Sequence, residues 1–216
     1  MEALILSCGT GGGHNSAARA IAEELQRRGH KARVLNPYTL YSIRLAQKID
    51  GSYISMVQKQ PRLFGAMYRA GQLYRNLPVR SPVYYVNRGM VPIMEGYLRE
   101  HPCDVVILTH LYPAEIMPGT LYVSTDYVCI PFTEETECDA YAIPARDLAP
   151  DYIRRGMPAE KLYPLGIPTS QAFSRPESRK DACARLGLDP DKRYILVAGG
   201  SMGGGTIRDT IRALMA

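Results

Sequence analysis

The sequence has no apolar run close to the roughly 20 residues that a membrane-spanning helix needs, so any membrane contact is expected to be peripheral. Its five cysteines include no C-x-x-C pair, and its four histidines show no metal-ligand spacing. We therefore expect no bound metal. An odd number of cysteines without a signal peptide is typical of a reducing compartment, which predicts a cytoplasmic protein.

The common nucleotide-binding fingerprints are also missing from the one glycine-rich segment near the start of the chain. Gly9 and Gly11 match the first half of G-x-G-x-x-G, but His14 stands in the place of the third glycine. The expected acidic residue after the second strand is replaced by Asn36. No Gly-Lys-Ser/Thr follows the glycines, which excludes a Walker loop, and a nicotinamide cofactor is disfavoured. No cofactor is expected.

What the opening segment does contain is a βαβ pattern. Residues 3–7 are nearly all apolar, as in a strand covered on both faces. Apolar side chains then recur at helical spacing up to Gly29, a helix-ending residue, and residues 31–35 read as a second strand. The glycines lie at the carboxyl end of the first strand, where open α/β sheets bind ligands. The sequence predicts an α/β fold with a site at this loop.

Three further strands are predicted at residues 104–109, 121–124 and 140–143. The first two end in polar residues, which a parallel sheet would bring to the same edge as the glycine loop. Only residues 111–120 join the first two of these strands, whereas a parallel crossover with a helix usually takes a dozen residues or more. Either this crossover is unusually tight or residues are missing from the chain, and we favour the second hypothesis.

Residues 51–94 contain six basic residues and no Asp or Glu, with aromatic and methionine side chains between them. This composition favours an anionic interface such as a phospholipid headgroup layer. Single-stranded nucleic acid would also fit, and so would an ordinary helical pair with a solvated basic face. Prolines divide the segment, so one long interfacial helix is not expected. The candidate surface residues are Arg62, Phe64, Arg69, Tyr74 and Arg75.

The opening pattern returns near the end of the chain. Residues 194–198 read as a strand, residues 199–205 as a second glycine loop and Thr206 as the start of a helix. A lone strand and helix bury too little surface to be stable by themselves. We expect an N-terminal domain at 1–169, a linker at 170–190 and the incomplete start of a second domain at 191–216.

Six segments, in this order, resemble the family that contains monogalactosyldiacylglycerol synthase and the processive diacylglycerol glucosyltransferases; they are residues 7–21, 109–115, 125–127, 139–144, 166–168 and 199–203. The peptidoglycan N-acetylglucosaminyltransferase is a more distant relative. The resemblance implies a GT-B architecture, in which two Rossmann-like domains face each other across a cleft. It also implies that the N-terminal domain holds a lipid acceptor at a membrane surface, and that the C-terminal domain holds a UDP-sugar.

The implied reaction is the inverting transfer of glucose or galactose from a UDP-sugar to diacylglycerol, without a metal and at the inner face of the cell membrane. His14 matches the family's functional histidine and would act as the base. Asp126, at a strand end, would orient it. The acceptor loop would comprise Gly11, Gly12, Gly13 and Asn15. The donor diphosphate would be held by Gly200, Ser201, Met202 and Gly203.

The resemblance raises the membrane interpretation of residues 51–94 above nucleic acid, which is not expected as a partner. Two other functions stay open. The chain could be a non-catalytic lipid-surface binding fragment, or it could belong to a related UDP-sugar enzyme such as an N-acetylglucosaminyltransferase or an epimerase. The residues present are expected to form the acceptor half, which by itself would not transfer sugar.

Overall fold

The computed structural model describes residues 1–200 and 206–215, and within them the chain forms a six-stranded parallel sheet with helices on both faces. The strands are β1 (Glu2–Leu6), β2 (Lys31–Leu35), β3 (Val105–Leu108), β4 (Gly119–Val123), β5 (Cys138–Ile143) and β6 (Leu162–Pro164). The helices are α1 (Gly12–Arg27), α2 (Tyr38–Tyr41), α3 (Ile43–Lys59), α4 (Pro61–Tyr74), α5 (Pro82–Arg88), α6 (Val91–Glu100), α7 (Leu111–Ile116), α8 (Ala149–Arg154), α9 (Arg179–Leu186) and α10 (Ile207–Met215). The predicted α/β, Rossmann-like class is confirmed.

The βαβ opening forms as the sequence predicts. β1 and β2 pair in parallel, with Ala3 opposite Ala32, and α1 connects them. Gly29 follows the end of α1 with φ of 80°, in the left-handed region that glycine enters without a steric penalty. The first glycine loop therefore lies between the carboxyl end of β1 and the first turn of α1.

Each face of the sheet buries its own set of side chains, because successive strand residues point to opposite sides. On the α1 face, the buried residues are Ile5, Ala18, Ala22, Ile107, Val123 and Ala142. The opposite face packs against α3, α6, α7 and α8, through Leu4, Leu6, Ala46, Met94, Leu108, Ala114, Ile116, Tyr122, Tyr141, Ile143 and Tyr152. The sheet is covered on both sides, which explains why its strands are nearly continuous apolar runs.

The residues present form an unusually tight crossover between β3 and β4, and the hypothesis that residues are missing there stays a prediction. The six-residue helix α7 fills it, and β3 and β4 pair in parallel through Ile107 with Leu121 and Leu108 with Tyr122. Close packing at this point requires Gly119, because a Cβ there would lie 2.5 Å from Cδ1 of Leu108.

Prolines divide the basic segment as predicted, since Pro61, Pro82 and Pro92 each lie in the first turn of a helix. α2 to α6 together form a long helical excursion between β2 and β3.

The last part of the chain differs from its prediction. The expected strand at residues 194–198 is not formed, and Ile195 and Leu196 are largely exposed. A strand needs a neighbour to satisfy its backbone groups, and none of the described residues provides one here. The helix expected from Thr206 onward is present as α10. The domain boundaries at 169 and 190 stay predictions.

Candidate functional site

The order of the strands in the sheet indicates where a ligand would bind. Its strands run β2-β1-β3-β4-β5-β6, so the chain leaves β1 toward one edge and returns to β3 on the other side of β1. Ligands of open α/β sheets bind at such a reversal, beyond the carboxyl ends of the strands. The glycine loop follows β1 at this point, and Thr109 and His110 follow β3.

His14 lies in the first turn of α1 and is half-buried. Its Nδ1 is 2.9 Å from the carbonyl oxygen of Thr109 and 2.7 Å from Oγ1 of Thr125. A carbonyl oxygen can only accept, so the network assigns the ring hydrogen to Nδ1. The lone pair is then on Nε2, the nitrogen that a base would use.

His110 is a second histidine at the same point, and sequence reasoning assigned it no role. It is buried, and its ring packs edge-on against the ring of His14 with centroids 4.5 Å apart. Its Nδ1 accepts the backbone N–H of Tyr112 at 3.1 Å, and its Nε2 lies 2.6 Å from Oγ1 of Thr10. Burial lowers the pKa of His110 well below its usual range, and the neighbouring His14 lowers it further. The two histidines therefore carry their hydrogens on opposite nitrogens.

No hydrogen bond joins Asp126 to His14 in the described part of the chain, and its expected orienting role stays a prediction. Among the described residues, the hydrogen-bond partners of the His14 ring are Thr109 and Thr125. The carboxylate of Asp126 instead acts on Tyr53 of α3, whose pKa is raised by burial and then by this charge. Asp126 therefore lies at the predicted edge of the sheet, where its charge acts on Tyr53 of the helical excursion. The preceding residue, Thr125, is the one in this turn that contacts His14.

Asp50 of α3 supports the glycine loop, a contact that no sequence pattern predicted. The Asp50 carboxylate accepts the backbone N–H of Gly9, and a Cβ at Gly9 would lie 2.2 Å from its Oδ2. Its Oδ1 is buried and has no hydrogen-bond partner among the described residues. Burial raises the pKa of Asp50. Only a residue without a side chain fits beside this carboxylate, which accounts for glycine at position 9.

The other loop residues leave space instead of filling it. A Cβ at Gly13 would meet nothing within 4 Å, and one at Gly11 would meet only the His14 ring, at 3.7 Å. Gly12 begins α1, and Oδ1 of Asn15 accepts the hydroxyl of Ser7 at 2.8 Å, tying the helix to the end of β1. Packing within the described residues does not demand glycine at 11 or 13, so these positions keep open an approach to His14.

A buried polar chain links this edge to the helical excursion. The hydroxyl of Tyr38 donates to Oδ1 of Asn87, and Nδ2 of Asn87 donates to Oε2 of Glu115 in α7. The Glu115 side chain is almost fully buried, and its Oε1 has no partner among the described residues. Burial raises the pKa of Glu115 to about 8. The carboxyl group is therefore protonated at neutral pH.

Four of the five surface residues predicted in the basic segment lie at the surface. Arg62 and Arg69 are exposed. Phe64 is half-buried with its ring edge-on to Tyr53, and Tyr74 is half-buried with its ring edge-on to Phe132.

Arg75 requires a correction. Its side chain is 1% exposed, and its guanidinium makes two hydrogen bonds of 2.7 and 2.6 Å to the Glu134 carboxylate. The same guanidinium donates to the carbonyl of Cys129 at 3.1 Å. A planar guanidinium suits this bidentate pairing. Arg75 therefore fastens the end of α4 to the segment after β4, and does not present its charge at the surface.

The excursion also exposes large apolar side chains that the charge pattern did not predict. Those from the end of α4 to α5 are Leu73, Leu77, Val79, Val83, Tyr85 and Val86; we call this set the apolar patch. Alongside α3 and the start of α4 runs an open groove of about 550 Å³, lined by Gln47, Lys48, Ser52, Ser55, Met56 and Leu63, among others.

Of the predicted donor loop, Gly200 is described and has a left-handed backbone with φ of 65°. Ser201, Met202 and Gly203 lie outside the described residues. Among residues 1–200 and 206–215, no group of three or more His, Cys, Asp or Glu side chains is placed to hold a metal ion. No helix in the described part of the chain has the length and apolar character to cross a membrane.

Comparison with known proteins gives a family match. The model of the family described as monogalactosyldiacylglycerol (MGDG) synthase matches residues 14–169. A UDP-N-acetylglucosamine–N-acetylmuramyl-(pentapeptide) pyrophosphoryl-undecaprenol N-acetylglucosamine transferase from Opitutus terrae is 27% identical over 234 aligned residues, covering 100% of this chain and 55% of the relative. Monogalactosyldiacylglycerol synthase 2 of Arabidopsis thaliana is 25% identical, covering 98% of this chain and 48% of the relative.

A third relative, the processive diacylglycerol beta-glucosyltransferase of Staphylococcus saprophyticus, is 27% identical over 158 residues, covering 66% of this chain and 38% of the relative. The chain spans about half the length of the first two relatives.

Proposed function

Because the chain belongs to the monogalactosyldiacylglycerol synthase family, we propose that the protein transfers a hexose, glucose or galactose, from a UDP-sugar to the hydroxyl of diacylglycerol. In this proposal residues 1–169 hold the lipid acceptor, and the anomeric carbon is inverted. The observation that carries the proposal is the environment of His14, whose Nδ1 lies 2.9 Å from the carbonyl oxygen of Thr109 and 2.7 Å from Oγ1 of Thr125, an arrangement that leaves the lone pair of the neutral ring on Nε2.

The proposed chemistry uses His14 as a general base. As the acceptor oxygen attacks the anomeric carbon, its proton passes to Nε2, the new glycosidic C–O bond forms, and the bond to the UDP oxygen breaks. The imidazole becomes an imidazolium, whose Nδ1–H donates more strongly to the Thr109 carbonyl as positive charge develops. Gly11 and Gly13 leave the acceptor room to approach. The donor diphosphate is assigned to Gly200, Ser201, Met202 and Gly203, where backbone N–H groups would offset its charge.

We further propose that the helical excursion rests on an anionic membrane surface, at the inner face of the cell membrane. Large exposed apolar patches mark protein or membrane contacts, and Leu73 and Val86 of the apolar patch are 73% and 75% exposed. Arg62 and Arg69 add exposed positive charge within residues 51–94, which contain no Asp or Glu. Attraction to anionic headgroups should therefore weaken with salt. Phe64 and Tyr74 supply half-buried aromatic rings to the same segment.

A related N-acetylglucosaminyltransferase activity is the second candidate. It is favoured by the alignment with the Opitutus terrae N-acetylglucosamine transferase, which covers the whole of this chain. The two activities differ in donor and in acceptor, so a panel of UDP-sugars separates them.

The test uses the complete protein, because residues 1–216 are expected to form only its acceptor half, and measures transfer from labelled UDP-glucose, UDP-galactose and UDP-N-acetylglucosamine to diacylglycerol in anionic vesicles. Replacing His14 by Ala should lower kcat by about 10²- to 10⁴-fold, the usual contribution of a general base, while vesicle binding stays unchanged. His101→Ala, at an exposed histidine, is the matched control and should leave transfer unchanged. Near-normal turnover of His14→Ala would remove the base role. If the complete protein without substitutions transfers neither glucose nor galactose to diacylglycerol, the proposed function is overturned.

A further inference from the structure

His110 contacts both ends of the segment that runs from Thr10 to His14. At the start of that segment, His110 Nε2 lies 2.6 Å from Oγ1 of Thr10, which is itself buried. At its end, the ring of His110 packs against the ring of His14 at an interplanar angle of 74°. The residue before His110 supplies the carbonyl that accepts from His14 Nδ1. Thr109 and His110, the two residues after β3, thus contact the glycine loop and orient His14.

The hydrogen on His110 is fixed independently of His14. The backbone N–H of Tyr112, at the start of α7, donates to His110 Nδ1, so the ring hydrogen must lie on Nε2 and point to Thr10. The ring of Tyr112 packs on the other side, with centroids 4.8 Å apart. Within the described part of the chain, no carboxylate hydrogen-bonds to the ring of His110. His110 is therefore enclosed by neutral groups and by His14.

Neutrality at His110 matters for its neighbour. A second positive charge about 4.5 Å away would oppose proton uptake by His14. Burial, which lowers the pKa of His110, keeps that charge away over the range in which an imidazole base works. The pair thus has one ring that can take up a proton and one that does not.

We propose that His110 is a positioning residue, which holds His14 in its Nδ1–H tautomer by bonding to Thr10 and packing against the His14 ring. The proposal rests on the proposed function for its catalytic consequence, but the tautomer of His14 can be observed without any substrate.

Two substitutions separate this role from the capping of α7. His110→Asn places an amide oxygen where Nδ1 now accepts from Tyr112, so the helix cap is kept and the contacts to Thr10 and His14 are lost. Thr10→Val keeps the shape of the Thr10 side chain and removes its hydroxyl. His101→Asn, at the exposed histidine, is the control.

The primary measurement is long-range ¹H–¹⁵N NMR of the imidazoles in this chain, with thermal unfolding recorded in parallel. We expect the Nδ1–H form for His14 and the Nε2–H form for His110. In His110→Asn and Thr10→Val, we expect a mixture of His14 tautomers in protein that still unfolds cooperatively, at a melting temperature lowered by the lost buried hydrogen bond. If His14 remains in the Nδ1–H form in both variants, or adopts the Nε2–H form in the unmodified chain, the proposal is overturned. If His110→Asn does not fold, Thr10→Val decides alone.

The second measurement is transfer by the active protein. Both variants should lower kcat by roughly 10- to 100-fold with little change in KM, because the base is misplaced while the acceptor still binds. An unchanged kcat in both variants would overturn the positioning role. A protein with no transferase activity but with the expected tautomers would instead refute the proposed function and leave the arrangement of the two histidines standing.

Discussion

The polar side chains at the edge of the sheet around His14 have hydrogen-bond partners within the chain, whereas the side chains of the apolar patch in the helical excursion are exposed to solvent. At the edge, the rings of His14 and His110 are held by hydrogen bonds to Thr10, Thr109 and Thr125, in the segments that follow β1, β3 and β4. In the excursion, Leu73 and Val86 are mostly exposed. The two histidines are held in one arrangement, as the proposed chemistry requires. The apolar patch is exposed, and contact with another apolar surface would remove it from water.

Two anchors connect these regions, and the first is the Arg75–Glu134 pair. Arg75→Met leaves the Glu134 carboxylate in a largely buried position without its partner. Removing one member of a buried pair is strongly destabilising, and we expect a loss of about 3 kcal/mol in the free energy of unfolding.

Urea unfolding measures this loss, and Arg69→Met is the matched control because Arg69 is exposed and should change stability by no more than about 0.5 kcal/mol. Equal effects of the two substitutions would contradict the assignment of Arg75 as an anchor.

The second anchor is the chain from Tyr38 through Asn87 to Glu115, and its effect should depend on pH. An unfolded glutamate releases its proton near pH 4.5, whereas Glu115 in the folded protein keeps it up to about pH 8. Between these values the folded state binds more protons, so the free energy of unfolding should fall as pH rises, by roughly 1.4 kcal/mol per pH unit at most. Glu115→Gln should make the free energy of unfolding depend less on pH. The difference in that free energy between the variant and the unmodified chain should be smaller at pH 5 than at pH 8.

Unfolding curves collected between pH 5 and 8 test this expectation. Asp104→Asn, at an exposed carboxyl group just before β3, is a suitable comparison and should leave the slope of stability against pH as it is. If Glu115→Gln and the unmodified chain lose stability in parallel, Glu115 is not the group responsible.

The smallest effect on folding is expected in the apolar patch itself. Replacing Leu73 and Val86 together by Ser should leave stability within about 0.5 kcal/mol per site, because both side chains are already exposed. The same double variant should bind anionic vesicles more weakly in a sedimentation assay. Phe173→Ser, at an exposed aromatic outside the patch, is the control. Unchanged vesicle binding of the double variant would remove the patch from the membrane contact.

Local pattern was sufficient to predict β1, the glycine loop, α1 and its end at Gly29, because each depends on residues close together in the chain. It also located His14. The partners of His14 could not be predicted, because Thr109 lies 95 residues away and Thr125 lies 111 residues away. Their approach depends on which strands become neighbours, and no spacing rule gives that order.

Composition was a weaker guide in the excursion. It identified basic residues but could not distinguish exposed Arg69 from buried Arg75, whose partner Glu134 lies 59 residues further along. At the end of the chain, residues 194–198 have the composition of a strand but lack a paired neighbour among the described residues. In both places the missing information was tertiary.

The pairing of β1 with β3 joins Ala3 to Val105, across the whole helical excursion. Contacts between such distant residues form late in folding, since the entropy of closing the intervening loop must be overcome first. Synthesis delivers the N-terminal part first, so α3 to α5 leave the ribosome before the strand that completes the His14 environment. During synthesis, the basic residues of 51–94 are therefore exposed before Thr109 and Thr125, the partners of His14, have been made.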